Sequence, residues 1–444
     1  MSLLGGTVTA EQTAAYLRTL PAIRERCGRV HELAKQGKLQ YFDYHPEKED
    51  DVADFCVNLM KVRDNATSSK SLTHTFMNEA PHGRWSHLDA GIERVQPLIA
   101  KWGAGAGPPD VKEQARRVLD LTLVSVLLDA GAGNVWKYVE ESSGLTFNRS
   151  EGLGVASVHM FESGFFSGDP EQPYRADAAG LSKITPEKTA AAMQVSESNP
   201  MDGIDGRASL LFSLSKALTA NPQFFGADGR PGNLIDFLES ESRVDEGVRI
   251  VPIAALWHAL IEGLNPIWPS RITFGGVALG DVWPCPSLGA SVANPVEGDD
   301  LVPFHKLTGW LTYSIVTVLQ RILNWKLEGI EDMTGLPEYR NGGLLVDLGV
   351  LSLKEGLLTI NPKSGLPRVP PSHPAIVEWR AMTVIELDRL AELIRKKLEL
   401  TPSQLSLAQV LEGATWKGGR EIAKIKRPDT SGPPIEIESD GTVF

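Results

Sequence analysis

The chain has 444 residues, 42% of them apolar and 23% charged, values that allow a deep core and exclude wholesale disorder. A formal net charge of −12 excludes phosphate-backbone binding as the main activity, because nonspecific nucleic-acid affinity needs clustered Lys and Arg, so no nucleic acid is expected as a partner. No window approaches 18 uncharged apolar residues, so no membrane span is expected, and three widely spaced cysteines, Cys27, Cys56 and Cys285, fit a reducing, cytoplasmic setting.

The opening "MSLLGGTVTAEQ" lacks a basic region followed by a long apolar core and does not read as a signal peptide. "AEQTAAYLRTLPAIRERCGRVHELAKQG" has helical periodicity, broken at Pro21 and closed at Gly37. "YFDYHPEKEDDVADFCVNLMKV" reads as a turn and another helix, and "KWGAGAGPPDV" as a connecting loop. The apolar run from Leu121 to Leu128 carries no charge until Asp129 and predicts a buried element ending near Gly131. Short helical patterns then alternate with Gly/Pro/Asp loops up to Gly232. "GLNPIWPSRITFGGVALGDVWPCPSLGASVANPVEGDD" predicts a long irregular excursion with a few short strands.

The last strong element is "HPAIVEWRAMTVIELDRLAELIRKKLEL", a helix with Pro374 at its first position. At about 100° per residue, Ile376, Arg380, Thr383, Leu387, Leu390 and Ile394 share one face. Arg380 on that stripe must find a carboxylate, carbonyls or a ligand anion, because an unpaired buried charge is costly. "KRPDTSGPPIEIESDGTVF" reads as a tail, or at most one edge strand.

The nine histidines are scattered, with no HExxH and no CxxC, and phosphate-loop and dinucleotide fingerprints are absent, so neither a metal nor a cofactor is expected. No GxSxG elbow is present. Three clusters stand out. Asp129 and Trp136 flank a glycine turn, as a pocket rim or as a capped helix with a core Trp. His305 and Lys306 open an apolar helix, where an anion could meet the lysine and unpaired backbone donors. Glu338, Tyr339 and Arg340 sit between Pro337 and Asn341-Gly342-Gly343, a pattern that alone favours a surface turn.

The strings "LLDAGAG", "RSEGLGVASVHMF", "RPGNLIDFL", "GDVWPCP", "PFHKLTGWLTYS", "GLPEYRNGGLLVDLGVL" and "HPAIVEWRAMTV" together resemble the uracil catabolism protein 4 family, in order and over nearly the whole chain. That resemblance implies a pathway that opens the uracil ring after nucleotide formation and ends in urea release. A second similarity covers the C-terminal half. "EYRNGGLLVDLGVL" is similar to the Asp-Tyr-Arg-x-Pro-Gln run of queuosine salvage proteins, N-glycosidases acting on a nucleoside 5'-phosphate. "PFHKLTGWL" and "EWRAMTV" are similar to two further segments of that family, in the same order.

This second resemblance implies Glu338 as the catalytic carboxylate, Lys306 as the phosphate-side lysine and Arg380 as the arginine of the last helix. Glu for Asp, and Asn341-Gly342-Gly343 for x-Pro-Gln, depart from the pattern and leave sugar and base open. The expectation is an N-glycosidase-type hydrolase that splits ribosylurea or its 5'-phosphate into sugar and urea. His305 and Glu378 are candidate general acids, and Lys306, Tyr339, Arg340, Arg380, Trp136 and Asp129 candidate substrate-binding residues. The partner is a small sugar-ureide. An amide or ureide hydrolase of the opened ring and a non-catalytic helical binding protein are the alternatives. The fold expectation is mainly α: one compact helical domain with a few short strands over residues 1–425, comprising an N-terminal helical region (residues 1–110) and a catalytic helical core (residues 111–425). A tail follows over 426–444. The second resemblance implies a core like that of helical DNA glycosylases.

Overall fold

The computed structural model describes residues 9–67, 81–104, 107–129, 131–133, 135–268 and 271–438. The first residues of the chain, portions of the two glycine loops (105–106, 130, 134) and the end of the tail (439–444) lie outside the described residues. The fold is mainly α, with short strands in small two- and three-stranded sheets. Two compact units divide the chain. The first joins Met1–His82, Ser270–Gly309 and Glu331–Ser439, and the second is built from Gly83–Pro269 and Trp310–Ile330.

In the first unit, the helix Ala10–Leu17 starts at a Thr9/Gln12 capping box, and Leu20–Lys35 follows with Pro21 in its first turn. Gly37 at φ 67° supplies the left-handed residue that closes it. The helix Pro374–Leu398 begins where the sequence places it, with Pro374 in the first turn and the His373 ring accepting from the Ala375 N–H. Ile376, Arg380, Thr383, Leu387, Leu390 and Ile394 are all buried, as the periodicity predicts. Val377, Trp379 and Ala381 are buried as well, so its first turns pack on several sides. Arg395, Lys396 and Lys397 close the helix, complementing the negative end of its dipole.

The irregular excursion contributes Val282–Pro284, paired antiparallel to Leu301–Pro303 with Val282 opposite Pro303. Phe42–Tyr44 pairs antiparallel with Leu351–Leu353. Of the expected tail, Glu436–Ile437 pairs parallel with Arg368–Val369, and Ile435 is buried.

Two helix crossings surround the turn at Glu338. Trp379 Nε1 donates to the Gly342 carbonyl at 2.9 Å, and a Cβ on Gly342 would lie 2.8 Å from that indole. A Cβ on Gly419, in the helix Trp416–Lys426, would come within 2.1 Å of the Arg340 carbonyl. These contacts overturn the surface-turn expectation: Glu338 is 8% and Arg340 5% exposed. A local pattern of Pro, charges and Gly-Gly cannot reveal helices that close over it from about 40 and 80 residues downstream.

The second unit is organised by the helix Val111–Leu127, capped by Asp110 and buried without interruption from Val118 onward, which accounts for the uncharged run read in the sequence. Arg149–Glu162 and Ile204–Ala220 pack against it, and Ile253–Gly263 packs against Ile204–Ala220. Val248–Pro252 lies between Lys326–Glu328, parallel, and Arg243–Asp245, antiparallel.

Candidate active site

The turn "GLPEYRN" opens the helix Tyr339–Asp347, and Glu338 is its N-cap. Its Oε1 accepts from the Asn341 N–H at 2.6 Å and its Oε2 from the Arg340 N–H at 2.8 Å. N-caps are usually Ser, Thr, Asp or Asn; the longer glutamate loops back over the first turn, where unpaired N–H groups and the helix dipole favour a negative charge. Each carboxylate oxygen keeps a lone pair beyond these bonds.

A hub that joins three distant segments adjoins this turn. Arg380 grips Asp281 with both terminal nitrogens, Nη1 to Oδ1 and Nη2 to Oδ2, each at 2.8 Å. Its Nε reaches the Pro337 carbonyl at 3.4 Å, and its guanidinium lies 4.0 Å from the centroid of the Phe304 ring. Asp281 Oδ2 also accepts from the Lys306 backbone N–H at 2.9 Å, and Oδ1 from the Trp283 indole at 2.6 Å. Burial alone would raise the Asp281 pKa, but Arg380 and the other donors outweigh it and hold the carboxyl well below the usual carboxylate range. The sequence-predicted demand of Arg380 for a carboxylate is met by Asp281.

Lys306 opens the helix Lys306–Leu323. The preceding His305 is buried and sits at φ 44°, the left-handed region that a side chain adopts only under constraint. Its Nε2 lies 2.8 Å from the Leu17 carbonyl, which can only accept, so that nitrogen carries the proton. Burial pulls its pKa below the ordinary histidine value. The ring is therefore a neutral imidazole at neutral pH. Glu378 is 1% exposed, and both its oxygens are occupied: Oε1 by the Gln40 N–H (2.8 Å) and the Ser287 hydroxyl (2.6 Å), Oε2 by the Tyr41 N–H (2.9 Å).

The Arg340 guanidinium stacks 4.4 Å from the Trp416 ring centroid and 5.5 Å from that of Tyr339. Tyr339, Arg340, Arg420 and Arg427 line a shallow cleft beside the turn. The Lys306 backbone N–H and the Arg380 guanidinium thus meet on Asp281, and Arg380 also reaches the Pro337 carbonyl, one residue before Glu338. Among the described residues no group of three or more His, Cys, Asp or Glu side chains could hold a metal ion, and no helix is long and apolar enough to cross a membrane.

Asp129 and Trp136 belong to the second unit. Asp129 Oδ2 lies 2.7 Å from Nη1 of the wholly buried Arg84, whose Nε donates to the Ser125 hydroxyl at 2.7 Å. Burial draws the Arg84 pKa down, against the pull of Asp129 and Glu151. Trp136 is 1% exposed and its indole donates to the Met193 carbonyl at 2.9 Å. Sequence reasoning misses Asp281 and Arg84. Asp281 carried a signal, as an aspartate beside Gly280 in an apolar stretch, with a buried arginine in need of a partner; Arg84 in "HGRWSH" carried none.

A family profile described as "Protein of unknown function (DUF1688)" matches residues 16–444. The chain is 40% identical over 452 residues to "Uracil catabolism protein 4" of Lachancea kluyveri, covering 98% of this chain and 100% of that protein. It is 41% identical over 435 residues to "Protein urg3" of Schizosaccharomyces pombe, covering 98% of this chain and 99% of that protein.

Proposed function

Because this chain belongs to the uracil catabolism protein 4 family, the family profiled as DUF1688, we propose that it is a hydrolase of uracil catabolism that cleaves the ribose–N bond of a ring-opened uridine derivative and releases urea. Ribosylurea or its 5'-phosphate is the substrate in this reading. One observation carries it. The three positions that the resemblance to queuosine salvage N-glycosidases singles out are Lys306, Glu338 and Arg380: the Lys306 backbone N–H and Arg380 share Asp281, and Arg380 reaches the Pro337 carbonyl beside Glu338.

The chemistry assigned to each residue follows from its surroundings. Breaking the C1'–N bond builds positive charge on the sugar, and the Glu338 carboxylate stabilises it, as in sugar hydrolases generally. At roughly 4 Å and an effective dielectric near 20 that attraction is about 4 kcal/mol, on the order of a thousandfold in rate. The remainder comes from holding the substrate in place, worth roughly 7–11 kcal/mol in favourable cases. Lys306 serves that end by meeting the 5'-phosphate. Arg380, forked onto Asp281, orders the hub rather than the phosphate. The departing ureido nitrogen needs a proton. Glu378 is committed as an acceptor, and His305, neutral at neutral pH, gives one only on acidification.

Product analysis tests the reading. Incubation with ribosylurea and its 5'-phosphate should give free sugar, or sugar phosphate, with intact urea. Ammonia or a carbamate would move the protein to the amide or ureide hydrolases, and binding without turnover would make it a non-catalytic member of the pathway.

A further inference from the structure

Asn341 stands three residues after Glu338, in the first turn of the helix Tyr339–Asp347, and is 0% exposed. Its side-chain amide donates from Nδ2 to the Leu336 carbonyl at 3.1 Å, while its Oδ1 is buried with no hydrogen-bond partner among the described residues. The assignment of the two ends is chemically forced, because the Leu336 carbonyl can only accept and the amide must turn its NH₂ toward it. The orphan is therefore an acceptor. A buried acceptor without a donor is destabilising, and its retention calls for a reason. The residue that carries the orphan is bonded to the carboxylate that the proposed reaction needs, since the Asn341 backbone N–H donates to Glu338 Oε1 at 2.6 Å.

We infer that Asn341 Oδ1 is the second acceptor for the attacking water. The inference rests on the glycosidase reading and deepens it. In the hydrolysis the water oxygen bonds to C1', and the C1'–N bond breaks with its electron pair leaving on the ureido nitrogen. One water proton passes to Glu338. The nitrogen takes a proton from solvent and Glu338 afterwards returns its own to solvent, so one water is consumed and the products are the sugar hydroxyl and neutral urea. A water has two protons, and a carboxylate that takes one fixes only one O–H direction. Asn341 Oδ1 accepts from the other O–H, the one that remains on the new anomeric hydroxyl, and so aims a lone pair at C1'. Glu338 alone, with a backbone N–H already on each oxygen, leaves the water free to rotate about a single bond. Asn341 thereby provides an unmet acceptor that becomes satisfied when the water enters.

Capture by methanol separates this role from a structural one, because methanol has a single O–H and cannot use both acceptors. Wild type and Asn341→Leu are compared with ribosylurea 5'-phosphate in water and in water–methanol mixtures, following urea, free sugar and methyl riboside. The expected result is a fall in kcat of about tenfold or more with KM little changed, in the range for lost water positioning. Thermal stability should hold, and the methyl riboside share should rise severalfold. Asn341→Ala, which fits any space the amide filled, gives the same readout if the leucine variant fails to fold. An unchanged rate, or equal slowing of hydrolysis and methanol capture, overturns the role of Asn341. Absence of urea from wild type itself overturns the glycosidase reading, and this inference with it, before any variant is measured.

Discussion

Each unit buries an arginine–aspartate pair, and the two differ in what else the arginine holds. Arg380 holds two segments at once: both terminal nitrogens bind Asp281, and Nε reaches the Pro337 carbonyl. Arg84 gives Nη1 to Asp129 and Nε to Ser125, while its Nη2 has no hydrogen-bond partner among the described residues. The Asp281 pair extends to the backbone beside Glu338 and at Lys306, so it fixes the segments that carry the candidate chemistry. The Asp129 pair holds the end of the helix Val111–Leu127 near the Ser150 carbonyl. A buried ion pair is thus no sign of a site by itself; what matters is which segments its remaining bonds fix.

The largest expected effect comes from breaking the first pair. Asp281→Ala leaves Arg380 buried without its counter-ion, at a cost of about 3–5 kcal/mol, read as a lower midpoint in guanidinium denaturation. It should also lower urea release in whatever protein remains folded. Asp129→Ala should destabilise to a similar order by uncovering Arg84. A rise in KM beyond that would carry a substrate-binding role for Asp129, and its absence would leave Asp129 a structural partner. Next in size is Gly419→Ala, whose Cβ meets the Arg340 carbonyl at 2.1 Å and should cost about 1–3 kcal/mol of stability by forcing the two helices apart. The smallest effect is on pH dependence. His305 is held neutral by burial, so the unfolded chain binds its proton more readily. Its contribution to stability is full above the ordinary histidine value of 6.5 and is lost as pH falls below it. Melting temperatures from pH 7 to pH 5 should fall less in His305→Asn than in wild type.

Much of the scaffold was legible because it depends on local signals. Pro374 and the apolar spacing of the last helix located it, and the uncharged stretch Leu121–Leu128 located the buried end of another. The demand of Arg380 for a carboxylate was legible too, but not the answer, since Asp281 lies 99 residues away. The Glu338 turn misled for the same reason. Its burial is imposed by Trp379 and Gly419, and nothing in the sequence around Glu338 signals them. Arg84 was illegible because its only marks are tertiary: a serine hydroxyl supplied from 41 residues away and an aspartate at the end of the same helix.

The most direct test of the central claim is urea release from ribosylurea 5'-phosphate by wild type and Glu338→Gln under identical conditions. The account predicts urea from wild type and a loss of roughly a hundredfold or more in the variant, the scale expected when a charge-stabilising group is removed. A folded Glu338→Gln that keeps more than about a tenth of wild-type activity would contradict it, because Glu338 would then be only the cap of its helix.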